Sequence, residues 1–417
     1  MMAGPIAIFD KSFLQSLNVD ESVWFDNFFM TNITPIFFIE IVADLEKEMN
    51  NGRTPEQVVG NMAYKTPEMN SYPNDYHVRI CHANLMGHDI TMDRRPIINR
   101  GYHVQSGDSI GYVVKETPEQ KALNNWQNGN FIEVEKEYAR SWRHSIASMD
   151  LNIATNIIKT IGIEPKNCKD PTTARRMAES ILEKINKSTE LMEFALIILG
   201  IHKSYHKRII NKWERANKPL ISIYAPYAAY VLRVQLFFYI AIASNIISKE
   251  KVTNAIDLMY LFYLPFCMIF ISNDKFHEKY APIFLSNDQE FVWGNDLKRD
   301  LSVINEYFNN YPLIVKEMGL YKFASYPPTD GQYIVTRIWD RYVPGWREWA
   351  KKLISPNITI DDKTKEKLNG FSKGAPINNS QINFNLPDNL DFMGYERNVH
   401  KRKGKWWQIP KDYKENE

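Results

Sequence analysis

Several features that mark common functional classes are missing from this sequence of 417 residues. It has three cysteines, Cys81, Cys168 and Cys267, and their spacing matches no zinc motif. We expect them to be free, mostly buried thiols of a protein from a reducing compartment. The 18 glycines are scattered and form no Gly-rich phosphate loop, which disfavours NTP hydrolysis. The net charge of +2 gives no global positive field, so any contact with nucleic acid must come from local patches.

Targeting and membrane signals are also scarce. The first residues lack the basic segment that opens a signal peptide. The most apolar stretch, residues 221–247, is interrupted by Arg233, Gln235 and Asn245. Polar side chains inside an apolar stretch favour a buried core helix over a membrane span. We therefore expect a cytoplasmic protein with no membrane segment.

What the sequence does contain is a set of short, continuously apolar runs. They cover residues 3–9, 33–39, 266–271 and 282–285. Runs of this length without polar alternation are typical of strands buried on both faces of a parallel sheet. We therefore predict an α/β fold in which these four runs form a parallel central sheet flanked by helices.

Acidic residues stand beside these predicted strands. Asp10 follows the first run, Glu40 follows the second and is predicted to open a helix, and Asp274 follows the third. Asp257 lies in the first turn of the helix before the third run. Because the carboxyl ends of parallel strands meet at one edge of the sheet, these four side chains should converge there. The alternative is that each acid only complements the dipole at a helix N-terminus.

Four clustered carboxylates raise one another's pKa values, and a divalent cation with a preference for oxygen ligands relieves the repulsion. The sequence therefore predicts a Mg²⁺ or Mn²⁺ site held by the four acids. Four neighbours, Ser12, Asp44, Ser272 and Asn273, are expected to hydrogen-bond the carboxylates or the waters of the ion.

Three stretches carry a resemblance to a known family: IAIFDKSF at 6–13, PIFFIEIVADL at 35–45 and AIDLMYLFYLPFCMIFISNDKF at 255–276. In these stretches the chain resembles the PIN-domain family of metal-dependent nucleases, and the whole chain looks like large bacterial PIN-like proteins. The resemblance implies a parallel sheet between helices and metal-assisted hydrolysis of phosphodiester bonds, usually in RNA. It also implies that Asp10, Glu40, Asp257 and Asp274 are the catalytic acids.

The predicted nuclease domain is discontinuous, with halves at residues 1–50 and 251–310. Between them we expect a segment of loops and small strands at 51–115, with a hairpin at 106–114, and a helical insertion at 116–250. The remaining residues, 311–417, form a C-terminal extension. The predicted helices outside the first half cover 116–163, 172–199, 202–218, 226–248 and 288–310.

Two basic segments are candidate nucleic-acid contacts. The first is the helix predicted at 202–218, which carries Lys203, Lys207, Arg208 and Lys212 and is expected to face the acidic site. An ordinary solvated helix face is the alternative. The second is the tail at 397–407, whose two tryptophans can either stack on bases or pack on the core.

Other kinds of site have less support in the sequence. His77, Cys81, His82 and His88 are close in sequence, but they lack the recurrent spacing of four zinc ligands. A phosphatase built on Asp10 would need a second aspartate at the position of Ser12. The predicted function is therefore a metal-dependent nuclease that acts on RNA more readily than DNA. The alternative is an inactive PIN-like scaffold that binds RNA or a protein partner, and an oligomer is left open.

Overall fold

The computed structural model describes residues 4–43, 52, 54–97, 101–106, 109–114, 116, 118–131, 164, 167–353, 376–377, 392–395 and 397–413. The strands in chain order are β1 (Ile6–Phe9), β2 (Met30–Ile33), β3 (Ser71–Pro73), β4 (Gly101–Ser106), β5 (Ser109–Val114), β6 (Ile269–Ser272), β7 (Glu290–Trp293), β8 (Pro376–Ile377), β9 (Phe392–Tyr395), β10 (Arg402–Lys403) and β11 (Trp406–Trp407).

The described helices surround these strands. In chain order they are α1 (Lys11–Ser16), α2 (Val19–Phe28), α3 (Pro35–Ala43), α4 (Pro55–Lys65), α5 (His77–Leu85), α6 (Pro118–Gln127), α7 (Pro171–Leu182), α8 (Thr189–Ile198), α9 (Lys203–Arg215), α10 (Ile221–Tyr224), α11 (Pro226–Ala243), α12 (Asn254–Leu261), α13 (Lys275–Tyr280), α14 (Gly294–Asn309), α15 (Leu313–Glu317), α16 (Leu320–Phe323), α17 (Ile334–Tyr342) and α18 (Trp346–Leu353).

A five-stranded sheet in the order β3-β2-β1-β6-β7 forms the centre of the molecule, and every pair of neighbours in it is parallel. The predicted α/β class is thus confirmed. The central strand β1 is buried along its whole length, as is β6. Their register pairs Ala7 with Ile269 and Phe9 with Ile271. The two halves of the chain therefore meet at the middle of one sheet.

The second predicted strand, residues 33–39, is wrong. The strand is Met30–Ile33, and the following apolar residues form the helix Pro35–Ala43. Thr34 lies just before it, and its carbonyl and hydroxyl oxygens both accept from the Phe37 amide. Pro35 then occupies a first helical position, where proline is favoured. Glu40 consequently lies inside this helix and does not open it.

The fourth predicted strand, residues 282–285, is also wrong. A short 3₁₀ turn, Ala281–Ile283, occupies that position, and the strand is Glu290–Trp293 at the edge of the sheet. The helix predicted from 288 therefore begins only at Gly294.

The insertion differs from its prediction in places. The helix predicted at 172–199 is two helices, α7 and α8. The hairpin is confirmed, since β4 and β5 pair antiparallel in a second sheet of order β8-β4-β5-β9. Of the helix predicted at 116–163, the structure describes α6, and residues 132–163 lie outside the described residues.

The long helix α11 packs between the insertion and the sheet. By length and composition it could cross a membrane, but 72% of it is buried inside the protein. Tyr227 and Tyr230 donate hydrogen bonds to the carbonyls of Phe262 and Leu261 at the end of α12. The three cysteines are free and buried, as expected.

The C-terminal segment closes back onto the N-terminal half. The Lys403 side chain is fully buried and donates to the Thr66 carbonyl (2.9 Å), near the buried carboxylates of Asp26 and Glu68. Trp406 is also fully buried, and its ring contacts Trp24 at 4.6 Å. Of the two interpretations of the tail tryptophans, packing on the core therefore holds for Trp406.

Candidate active site

Asp10 lies where β1 ends and α1 begins. Its Oδ1 accepts from the Phe13 amide (2.9 Å) and so caps the helix. Its Oδ2 accepts from the hydroxyls of Ser12 and Ser272, each at 2.7 Å. Burial acts to raise the pKa of Asp10, but the hydrogen bond and charge of His277, with the two hydroxyls, hold it below its ordinary value. Asp10 is therefore a buried, ionised carboxylate.

His277 supplies the positive charge beside Asp10. It is fully buried, and its Nδ1 lies 3.4 Å from Asp10 Oδ2 and 2.8 Å from Ser272 Oγ. Its Nε2 lies 2.8 Å from the carbonyl oxygen of Asp257, which can only accept, so Nε2 carries a proton.

The hydroxyl of Ser272 indicates that Nδ1 is protonated too. The Ser272 hydroxyl donates its one proton to Asp10. One of the two lone pairs on its oxygen accepts from the backbone amide of Asp274 (2.9 Å). The remaining lone pair can accept only from a protonated Nδ1 of His277. Burial lowers the pKa of His277, but the hydrogen bond and charge of Asp10 outweigh it and raise this pKa to about 9. His277 is thus an imidazolium ion at neutral pH.

Glu40 reaches the same site from α3. It is half-buried, and its Oε2 accepts from the Tyr260 hydroxyl (2.7 Å). Burial, together with repulsion from Asp10 and Asp257, raises the pKa of Glu40 to about 7, although Lys11 and the Tyr260 hydrogen bond act to lower it. A carboxyl group with this pKa can take up or release a proton near neutral pH.

Asp257 lies in the first turn of α12, as predicted, and is buried. Among the described residues its Oδ2 has no hydrogen-bond partner, and Lys251 Nζ lies 4.0 Å from it. Burial raises the pKa of Asp257 to about 6; His277 and Lys251 oppose this, whereas the charges of Asp274 and Asp10 add to it. This oxygen is thus a buried acceptor with no partner.

Asp274 caps α13 at the carboxyl end of β6, where its Oδ1 accepts from the Phe276 amide (2.6 Å). It is partly buried. The backbone amide of the preceding residue, Asn273, donates to Ser12 Oγ (3.1 Å), which connects the tips of β6 and β1. Gly294 leaves room for the Asn273 side chain, because a Cβ at position 294 would lie 2.8 Å from Asn273 Oδ1.

The four predicted acids are linked electrostatically: the charges of Asp10 and Asp257 act on Glu40, and those of Asp274 and Asp10 act on Asp257. Of the predicted neighbours, Ser12, Ser272 and Asn273 form the hydrogen-bond network of the site. Asp44 lies outside the described residues.

Three residues of the site were not predicted. They are Lys11, Tyr260 and His277. A sequence signal exists for two of them, because Tyr260 follows Asp257 by three positions and His277 follows Asp274 by three, which places each pair on one helix face.

A divalent cation fits the donor chemistry of the site. Carboxylate oxygens are the ligands that Mg²⁺ and Mn²⁺ prefer, and a cation would supply the missing partner of Asp257 Oδ2. As the described residues lie, however, no three His, Cys, Asp or Glu side chains converge as a ligand set. Asp10 is already paired with His277. The acids would therefore have to draw together to share one ion.

Two members of the His/Cys cluster around α5 are core residues. His77 and Cys81 are buried in the core, and burial lowers the pKa of His77 to about 3. The Tyr263 hydroxyl accepts a hydrogen bond from the His77 amide (2.9 Å). Within the described part of the chain the cluster forms no metal-ligand set.

The basic helix α9 is attached to the start of α11 through the end of α5. Lys212 Nζ donates to the Met86 carbonyl, and Asn84 Oδ1 accepts from the Tyr227 amide. Phe237 lies ten residues further along α11, about 15 Å away at 1.5 Å per residue, and packs on Tyr280 of α13 (5.8 Å). Among the described residues no hydrogen bond or ion pair joins α9 to the four acids, and the expectation that α9 faces the acidic site stays a prediction.

Comparison with protein-family models, with curated proteins and with solved structures finds no match for this chain.

Proposed function

We propose that this protein is a metal-dependent nuclease that hydrolyses phosphodiester bonds of RNA or DNA at the acidic site. The observation that carries the proposal is the electrostatic coupling of the four acids near the carboxyl ends of β1 and β6. Burial, with the charges of Asp10 and Asp257, raises the pKa of Glu40 to about 7, and burial, with the charges of Asp274 and Asp10, raises that of Asp257 to about 6. The resemblance to PIN-domain nucleases supports the same assignment, because it rests on these four residues.

The side chains of the site have separate roles in this proposal. Asp10, Glu40, Asp257 and Asp274 would hold Mg²⁺ or Mn²⁺, directly or through water. The ion, when bound, supplies an activated water and neutralises charge on the scissile phosphate.

Glu40 has its pKa raised to about 7 in the metal-free protein, so binding of a cation would release its proton. Lys11 and His277 offset part of the negative charge, which lets an anionic phosphate approach. Ser12 and Ser272 fix the orientation of Asp10.

A second candidate is an inactive scaffold that binds RNA or a protein partner. One observation favours it: His277 already neutralises Asp10, so the cluster has an internal cation. Such a site would keep its fold without metal.

Replacing Asp274 with asparagine separates the two candidates. The change keeps the size and the helix-capping oxygen but removes one charge from the ion's surroundings. Nuclease activity should fall by about a hundredfold or more. The assay is Mn²⁺-dependent cleavage of labelled single-stranded RNA and DNA, with thermal unfolding recorded with and without Mn²⁺. Asp412→Asn, at an exposed position of the tail, is the matched control.

Absence of both cleavage and Mn²⁺-dependent stabilisation in the wild type would reject the nuclease and favour the scaffold. Equal cleavage by the wild type and Asp274→Asn would show that Asp274 acts only as a helix cap.

A further inference from the structure

An open groove of about 600 Å³ runs along the exposed face of α9. Its lining combines Ser204, Asn211 and Met86 with basic residues, and the described residues that line it include no carboxylate. The basic residues are Lys207, Arg208, Lys212 and Arg215. The groove is therefore a cationic concavity formed by α9 and the end of α5.

Three of these cations are available to a ligand. Lys207, Arg208 and Arg215 are exposed, and within the described residues none of them has a hydrogen bond or ion pair to a protein group. The one acid of this helix, Glu214, is paired with Lys218 (2.9 Å) and accepts from the Thr189 hydroxyl (2.9 Å). Positive side chains held together without counter-charges repel one another, so an anion bound among them is stabilised.

The fourth cation, Lys212, holds the two sides of the groove together. Lys212 Nζ donates to the Met86 carbonyl, and the neighbouring Gly87 has a φ of +87°. A Cβ at Gly87 would lie 2.5 Å from Lys212 Nζ, the end of a flexible side chain that can shift, so it is the positive φ that favours glycine here. The end of α5 and the helix α9 are thereby held at a fixed spacing.

An exposed aromatic ring lies beside the groove. Tyr205 precedes Arg208 by three positions and Lys212 by seven, so it neighbours these two groove residues on the helix surface. It is 43% exposed, and its ring contacts the imidazoles of His82 and His202, with centroids 4.4 Å and 6.4 Å apart. The exposed part of the ring offers a surface on which a base can stack.

We infer that this groove binds single-stranded nucleic acid, with backbone phosphates on Lys207, Arg208 and Arg215 and one base stacked on Tyr205. Cations that follow a groove beside an exposed aromatic ring are the combination that single strands require, because every base has a face that can stack. A duplex hides those faces, so it would use only the phosphate contacts.

This inference goes beyond the nuclease proposal and does not depend on it. Binding is measured in EDTA, where metal-dependent cleavage cannot occur. Asp274→Asn should therefore bind like the wild type, and a failure to cleave would leave the binding result intact.

The test is fluorescence anisotropy with labelled oligo(U) and oligo(dT) across a range of salt concentrations. Lys207→Gln combined with Arg208→Gln should weaken binding roughly tenfold or more and lower the salt slope by about 0.7 for each phosphate that the variant no longer neutralises. Tyr205→Ala should weaken binding roughly tenfold without changing that slope. Lys351→Gln and Tyr413→Ala, at exposed positions elsewhere, are the matched controls and should bind like the wild type.

Two outcomes would overturn the inference. The first is equal affinity of the wild type and the Lys207/Arg208 variant, which removes the groove as a phosphate site. The second is reduced affinity in that variant with no effect of Tyr205→Ala and equal binding of duplex DNA, which would make the groove a surface for any polyanion. All five changed side chains are exposed, so the variants are expected to fold.

Discussion

Replacing Glu40 with glutamine should stabilise the metal-free protein at pH 8 and leave it little changed at pH 5. The pKa of Glu40 rises from an ordinary 4.5 to about 7 in the folded protein. A carboxyl group of this kind favours the folded state while it is protonated, so its contribution to stability is lost as the pH rises from 4.5 to 7. Glutamine cannot ionise, and its side-chain oxygen can still accept from the Tyr260 hydroxyl.

The size of the effect follows from the shift. A change from 4.5 to about 7 corresponds to about 3 kcal/mol of free energy of unfolding. Glu40 is half-buried, and Lys11 is left without this negative charge in the variant, so solvent screening and the missing attraction reduce the expected gain. We expect the variant to be about 1–2 kcal/mol more stable at pH 8.

The assay is urea unfolding in EDTA at pH 5, 6, 7 and 8, followed by circular dichroism. The exposed Glu183→Gln change is the matched control and should follow the wild type at every pH. A Glu40→Gln protein that is no more stable than the wild type at pH 8, with an unchanged slope between pH 5 and 7, would refute the raised pKa and with it the coupling of the acids.

Other substitutions test the remaining contacts. His277→Asn leaves Asp10 as a buried charge without a cation and should cost about 3–5 kcal/mol in urea unfolding; a cost below about 1 kcal/mol would contradict the ion pair. In the wild type, raising the pH through 9 should lower stability, because the raised pKa of His277 stabilises the fold only while the ring is charged, and His277→Asn should lack this step. Lys403→Met should cost about 3 kcal/mol, since it removes the cation buried near two carboxylates; unchanged stability would show that the tail is held by apolar packing alone. Gly87→Ala should cost about 1–2 kcal/mol by thermal unfolding and also weaken oligonucleotide binding, and an effect on neither would contradict the close approach of Lys212.

The sequence was informative where an element is apolar throughout and ends in an acid. β1 and β6 are buried on both faces, so their residues form unbroken apolar runs, and Asp10 and Asp274 follow at the tips. Both strands lie within three residues of the predicted runs, and the positions of these two acids were predicted correctly on this basis. A helix enclosed on all sides has the same appearance, which is why α3 was taken for a strand.

The errors at the other edge have a different cause. β7 is an edge strand with partly exposed residues, so Glu290–Trp293 lacks a continuous apolar run. The pairing of His277 with Asp10 was missed because the three-residue spacing from Asp274 places the ring near the site but does not identify its partner. The role of His277 arises only when β1 and β6 pair and bring Asp10 within 3.4 Å of its ring.

The position of β1 between β2 and β6 has a consequence for synthesis of the protein in the cell. One neighbour of β1 is made almost at once, but the other is far along the chain, as the 262-residue separation of Asp10 and Ser272 shows. At about 5–20 residues per second, translation leaves one edge of this apolar strand without its partner for roughly 13 to 50 seconds. An unpaired edge of that kind invites association with other chains. We expect nascent chains that stop before residue 269 to aggregate or recruit chaperones, whereas chains that extend past Trp406 should not.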